Sequence, residues 1–177
     1  LVLVTHDHSD HFDTTAITQS ISTNAVIGVP LTVYNKLTTG LRSIAFVLTN
    51  GMATNLAGIR VEVIPAYNTN SSPFHARGSG NGYVLGIGNR RIYVSGDTHN
   101  IPEMSALQAI DIAFLAMNQP YTMTVTMAVS AVRAFRPRVV YPYHYRAASG
   151  YPATDLAGFK QQLLLDPGVE VRLRQWY

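Results

Sequence analysis

Leu1 to Val4 form a run of four apolar residues that ends directly on Thr5-His6-Asp7-His8-Ser9-Asp10-His11. The run reads as a buried strand. His6, His8, Asp10 and His11 thus put four good divalent-metal ligands within six positions at a strand end. In an extended or gently turning segment, residues two apart share a face. His6 and His8 can therefore hold one ion between them, while Asp10 and His11 face the other side of the same pocket. One tight loop can then serve two adjacent ions. Such a loop constrains the rest of the chain, because a closed site needs further ligands at the same sheet edge. Asp97, in Ser95-Gly96-Asp97-Thr98, and His144, in Tyr141-Pro142-Tyr143-His144, each follow a predicted strand. Strand-end loops at one edge are where α/β proteins usually build sites.

The 177 residues suit one domain, with 47% hydrophobic and only 13% charged residues, a globular profile. No apolar run approaches the ~20 residues of a membrane span. The absence of cysteine excludes disulfides and thiolate metal sites. Any metal must be held by His, Asp, Glu or Asn, which suits zinc, iron or manganese. A net charge of +3 is mildly basic. Arg133, Arg136 and Arg138 form the one arginine cluster, read as a solvated helix end ahead of a nucleic-acid patch.

Along the chain, Asp13 is placed to cap a helix through about Ser20, and 25–29 reads as a strand. Pro30 is expected as the first helical residue before Leu31–Leu37, with Gly40 ending that helix. Residues 58–66 alternate as a half-buried strand. Residues 67–82 hold turn formers and predict a long loop, often a functional feature. A hairpin (83–87, 91–95), strands at 111–117, 137–142 and 169–173, and helices at 124–135 and 155–165 complete an alternating α/β pattern.

The Thr-His-x-His-x-Asp-His signature at 5–11, Gly96-Asp97-Thr98 and the late His144 together resemble the metallo-β-lactamase superfamily, in order and in spacing. Ile64-Pro65-Ala66-Tyr67-Asn68, Phe74-His75 and Gly78-Ser79-Gly80-Asn81-Gly82-Tyr83 look like its broad group of small hydrolase-like members, related to ascorbate-phosphate lactonase and N-acyl-phosphatidylethanolamine phospholipase. The resemblance covers essentially the whole chain as one domain, 1–177. It implies a four-layer αββα sandwich with two divalent ions, zinc first, at one edge. By position it implies His6 and His8 on the first ion, Asp10, His11 and His144 on the second, and Asp97 bridging. Asp10 and Asp97 are then the catalytic carboxylates. The first ion's remaining ligand is His75, with Asn68 as the alternative. Family members carry a strand pair before the signature, so an N-terminal portion is expected to be missing from this chain.

The resemblance implies a hydrolase that uses a metal-bridged hydroxide on a small ester, lactone, amide or phosphodiester. The alternative is a metal-binding module without turnover. Nucleic-acid processing is disfavoured by the mild charge and by the lack of an inserted domain. Arg77 and Arg146 lie in loops beside the site. They either clamp an anionic substrate or stand solvated. Tyr121, Tyr143 and Tyr145 are core residues, or donors to a developing oxyanion. Asp7 is expected as a second acid orienting a ligand or as a surface group, and His99 as solvent-facing. Met117, Met123 and Met127 are expected as core filler, and Glu103 as support for a helix N-terminus.

Overall fold

A computed structural model of the chain describes residues 1–70 and 74–176. Ser71, Ser72 and Pro73, part of the expected long loop, lie outside the described residues. Val2–Leu3 (β1), Ile27–Val29 (β2) and Ala45–Val47 (β3) form a parallel sheet in the order β1-β2-β3. A second sheet holds Ala53–Leu56 (β4), Ile59–Ala66 (β5), Gly80–Ile87 (β6), Arg90–Val94 (β7), Ile112–Ala116 (β8), Val139–Tyr143 (β9) and Glu170–Val171 (β10). Its order is β10-β9-β8-β7-β6-β5-β4, antiparallel from β4 to β7 and parallel from β7 to β10.

Three apolar clusters identify the layers. Leu3 of β1 and Leu48, next to β3, meet Leu56, Val61, Val63, Tyr83 and Leu85 of the large sheet, so the sheets stack face to face. Thr14–Ser20 (α1), Leu31–Tyr34 (α2) and Thr39–Arg42 (α3) belong to the small sheet, with Ile17, Val33 and Leu41 buried against Val4, Ile27 and Val29. Pro102–Ser105 (α4), Val125–Phe135 (α5) and Leu156–Gln162 (α6) bury Met104, Ala128, Val132, Phe135 and Phe159 against Val84, Tyr93, Ala113, Leu115 and Val140. The result is the αββα sandwich. Period-2 alternation explains how one strand serves two cores: along β6, Tyr83 and Leu85 face the other sheet while Val84 faces the helices.

The helix ends follow local chemistry. Asp13 caps α1, its carboxylate accepting from Thr15 N (2.7 Å) and Ala16 N (3.1 Å). Thr124 caps α5 by accepting from Met127 N (3.1 Å). Asp155 caps α6 by accepting from Gly158 N (2.8 Å). Glu103 sits in the first turn of α4, as expected. Met117 and Met123 are buried in the core.

Several boundaries differ from the expectation. Pro30 is the cap of α2 rather than its first residue, the helix stops at Tyr34, and Gly40 lies inside α3 instead of ending a longer helix. The loop expected over 67–82 ends early, because Gly80, Asn81 and Gly82 already pair with Ala66, Pro65 and Ile64. Their glycines mark a close approach rather than a turn. A Cβ on Gly82 would lie 2.7 Å from the Ser95 carbonyl oxygen. Strands β3 and β4 have no counterpart in the expected elements: β3 is an apolar run of only three residues, and β4 mixes polar and apolar residues over four.

Gly82→Ala is expected to destabilise the fold by about 1–3 kcal/mol, because the added methyl meets backbone that cannot swing away. Gly40→Ala, with no atom within 4 Å of the new Cβ, is expected to be neutral or to stabilise by about 0.4–1 kcal/mol. Urea unfolding should show a lowered midpoint for Gly82→Ala and an unchanged or raised one for Gly40→Ala, with the m value unchanged.

Candidate metal centre

Four strand-end loops converge at one edge of the sandwich. The first leaves β1 and is clamped from β6: Asn81 N donates to Thr5 O (2.8 Å) and the Tyr83 hydroxyl to Val4 O (2.7 Å). The chain then makes one tight turn, with His11 N and Phe12 N both donating to His8 O (3.0 and 2.9 Å). The second loop leaves β7 through Gly96, whose φ of +61° and whose 2.7 Å gap from a built Cβ to Asn81 O both require glycine. Asp97 follows. The third leaves β5 and is tied back on itself, with Asn68 N donating to His75 O (2.9 Å). The fourth leaves β9 at His144, a non-glycine residue in the left-handed region at φ +47°. That conformation costs on the order of 1–3 kcal/mol and is typical of functional sites.

The side chains so delivered meet around one atom. Asp97 Oδ2 lies 3.4 Å from His75 Nε2, 3.5 Å from His11 Nε2, 3.5 Å from His144 Nε2 and 4.0 Å from His6 Nε2. Asp10 Oδ2 lies 3.5 Å from His11 Nε2 and 3.4 Å from His144 Nε2. Three groups each offer ligand atoms within 4.8 Å of one another: His6, His8 and His75; His6, His11 and Asp97; Asp10, His11 and His144. All seven residues singled out as ligands in the sequence are thereby brought together.

Neighbouring groups aim the rings. The Thr5 hydroxyl sits 3.0 Å from His6 Nδ1, leaving Nε2 toward the cluster. His75 Nδ1 lies 3.2 Å from Asn68 Oδ1, which also accepts from His75 N (2.8 Å). Asn68 Nδ2 donates to Tyr121 O (2.8 Å). Both ends of Asn68 are therefore committed to holding His75 and its loop. The geometry favours His75 as the ligand and Asn68 as the group that orients it.

Burial sets the protonation states. Desolvation, with help from the charge of His11, pushes the His6 pKa down to about 3. Burial likewise lowers His75. Both imidazoles are thus neutral at pH 7, the state that coordinates a cation. Burial by itself would raise Asp97, but the flanking His11 and His144 outweigh it and hold the carboxyl well below the usual carboxylate range. His144 is raised by the same Asp97 contact against the opposing effect of burial.

Other expectations divide. Tyr121 lines the pocket over the cluster, with Asp7, Ser9 and Asn118. Tyr143 does not. It ends β9 and lines an apolar hollow with Val94, Phe114 and Trp176. Arg77 is turned away, its Nη2 2.8 Å from Glu103 Oε1 and its guanidinium over the Tyr67 ring. Arg146 lines a separate hollow with Tyr145, Tyr151 and Thr154. His99 is buried, not solvent-facing, because Nδ1 accepts from Thr69 N (3.0 Å). Asp7 is ion-paired with Lys36 (2.6 Å). The sequence reading missed Asn118, which is buried in the pocket. Its signal was available, since it is the first polar residue after the apolar run of β8, between strands that deliver Asp97 and His144.

This edge-borne cluster on an αββα sandwich defines a metallo-β-lactamase-like architecture. A family model described as the beta-lactamase superfamily domain matches residues 1–145, and the chain belongs to that superfamily. Among curated relatives, the UPF0173 metal-dependent hydrolase of Pyrococcus abyssi is 28% identical over 183 residues, covering 98% of this chain and 81% of its own length. Among solved structures, a protein of Parabacteroides distasonis described as a metal-dependent hydrolase aligns with a TM-score of 0.85 and 39% identity, over 97% of this chain and 74% of that one. A metallo hydrolase of the hyperthermophilic archaeon Ignicoccus hospitalis aligns with a TM-score of 0.77 and 25% identity, over 98% and 75%.

Two outcomes follow for the metal-free protein. His6 is neutral when folded and takes up a proton on unfolding below about pH 6.5, so its contribution to stability is complete above that pH and is lost as the pH falls toward about 3. In urea unfolding, the stability of the wild type relative to His6→Gln should shrink between pH 7 and pH 5. A constant difference would show that His6 titrates normally. Asn68→Ala should leave the fold intact but weaken metal affinity about 10–100-fold, as read by calorimetric titration.

Proposed function

We propose that this metal-dependent hydrolase of the metallo-β-lactamase fold works through two divalent ions. His6, His8 and His75 would hold one, Asp10, His11 and His144 the other, and Asp97 would be shared. Zinc is the first choice, and iron or manganese suit the same donors. The substrate class is a small ester, lactone, amide or phosphodiester.

The observation that carries this reading is a set of buried atoms with nothing to bond. His6 Nε2, His11 Nε2, His75 Nε2 and Asp97 Oδ1 are all buried without a hydrogen-bond partner among the described residues. Each such atom costs about 1–3 kcal/mol if left so. Their convergence on Asp97 is what a cation would satisfy, and neutral imidazoles with an ionised carboxylate are the donor states it needs. The residues present therefore fit the group.

When bound, two such ions supply an acidified water and polarise a substrate oxygen. The remaining work falls to the chain. Asp97, ionised and buried, gathers four imidazoles within 4.0 Å of one oxygen. Thr5 and Asn68 keep the rings of His6 and His75 from turning. Asp10 is the exposed carboxylate of the set, its side chain 59% accessible, and is placed to take a proton from the attacking water and release it to solvent.

A chelator is expected to abolish hydrolysis, with activity restored by added zinc, iron or manganese. Asp97→Ala should lose at least one of the two ions by elemental analysis. Its kcat/KM should fall about 1000-fold, on the order of 4 kcal/mol. Full activity with two ions still bound in that variant would refute the assignment. Two ions bound by the wild type with no turnover across esters, lactones, amides and phosphodiesters would mark a binding module instead.

A further inference from the structure

A second charged hollow lies at the end of the large sheet opposite the metal centre. Strands β7, β8 and β9 run parallel, and their far ends lead to Asp97, Asn118 and His144. Their near ends meet around a hollow of about 470 Å³ whose lining includes Arg90, Arg91, Ala109, Asp111, Arg136 and Arg138. Backbone bonds lace this frame together. Asp111 N donates to Arg91 O (2.9 Å), Arg138 N to Ile110 O (3.0 Å) and Val139 N to Asp111 O (3.0 Å). Ala109 and Arg136 are non-glycine residues in the left-handed region, at φ +53° and +48°. Strain of this kind gathers at functional sites. Among the described residues only Ala57 and His144 of the metal centre share it outside glycine.

Charge sets this hollow apart. Arg77, Arg133 and Arg172 each have an acid of their own, Glu103, Asp166 and Glu170. Here four guanidiniums line one hollow with Asp111 as the single carboxylate of the described lining. Asp111 stays ionised, because Arg91 N donates to Oδ2 (2.9 Å) and Arg90 Nη1 to Oδ1 (2.9 Å), which holds its carboxyl below the usual range. Glu62, outside the lining, pairs with Arg91 (2.6 Å). Four arginines against Asp111 and Glu62 leave an excess of two positive charges. The donors are open to solvent, with the Arg90 side chain 54% and the Arg138 side chain 73% exposed. Arg138 Nη1 is 3.7 Å from Asp111 Oδ1, beyond hydrogen-bond reach. A guanidinium carries five donors, so one carboxylate does not occupy them. Arg136 caps the end of α5, where its charge suits the helix dipole, and its Nη2 donates to Pro167 O (2.9 Å). That accounts for Arg136 alone and does not bring Arg90 and Arg138 to the same place.

We propose that this hollow is a second binding site, distinct from the metal centre, for the dianion of a small phosphate monoester, gripped chiefly by Arg90 and Arg138. The planar fork of a guanidinium matches phosphate oxygens two at a time. A phosphate monoester carries close to two negative charges at neutral pH, which balances the excess. The volume is that of a small-molecule site. No aromatic side chain lines the hollow among the described residues. A single-stranded nucleic acid would find no platform for its bases there, which favours a compact ester over a polymer. The site is independent of the hydrolase reading above.

The test titrates the zinc-loaded protein with glucose 6-phosphate, glucuronate, glucose and a short oligouridylate at about pH 8, where the phosphate is a dianion. Calorimetry should show glucose 6-phosphate binding about 10-fold or more tightly than the singly charged glucuronate, with no binding of glucose. The Nε–H resonances of Arg90 and Arg138 and the backbone resonances of Ala109 and Asp111 should shift. Those of Ser9, Asn118 and Tyr121 at the metal centre should stay in place. Replacing both grips, Arg90→Gln with Arg138→Gln, should keep the wild-type metal content and weaken glucose 6-phosphate about 10–100-fold. The wild-type resonances decide the matter even if that variant does not fold. Shifts confined to the metal centre would overturn the proposal, as would equal binding of phosphate and carboxylate. So would an unchanged affinity in the double variant. Tighter binding of the oligouridylate at these same residues would mark a nucleic-acid surface and overturn it too.

Discussion

A buried carboxylate surrounded by imidazoles is the constraint that the rest of the molecule serves. Asp97 Oδ2 has four histidine nitrogens within 4.0 Å. The carboxylate is 96% buried. An isolated charge at that depth would protonate. Asp97 instead stays ionised because His11 and His144 stand beside it, while His6 and His75 are driven neutral by their own burial. The cluster is thus poised with lone pairs inward and little water to satisfy them.

Holding that arrangement requires rigidity from both sheets. Thr5 is pinned by β6, Asp97 leaves β7 past a glycine that has room for no side chain, and His144 leaves β9 in a left-handed turn. The loop after β5 is fastened to the Asp97 loop: the Thr98 hydroxyl accepts from Tyr67 N at 3.1 Å, and His99 N donates to Tyr67 O at 3.0 Å. Side chains built on packed strand ends hold their geometry better than those on free loops. The three apolar cores supply the packing that makes those strand ends stiff.

Much of this was legible in the sequence. The ligand cluster at 6–11 and the strand-end positions of Asp97 and His144 could be read from local pattern, as could the caps at Asp13 and Thr124, because each depends on neighbours in the chain. The misread elements depend on distant ones. Gly80 to Gly82 resemble a turn in isolation and become strand because β5 pairs along one side, Thr5 O accepts from Asn81 N, and the Ser95 carbonyl crowds position 82. Arg77 and Arg146 sit near the site in sequence, yet Arg77 pairs with Glu103 and Arg146 lines the separate hollow around Tyr151.

The sequence by itself determined the class of fold and the inventory of candidate metal ligands, since a loop dense in such residues after a buried strand, with matching loops later, admits few architectures. Only the tertiary structure decided which donors converge and which support them. His75 and Asn68 are both plausible ligands on paper. Asn68 is committed at both ends of its amide, and His75 Nε2 faces Asp97. The polarity of the pocket was decided in the same way, with Asp7 of its lining paired to Lys36 and Arg77 paired to Glu103. Ligand type is a property of a residue, but orientation and charge surroundings belong to the packed chain, where segments far apart in sequence meet and desolvate one another.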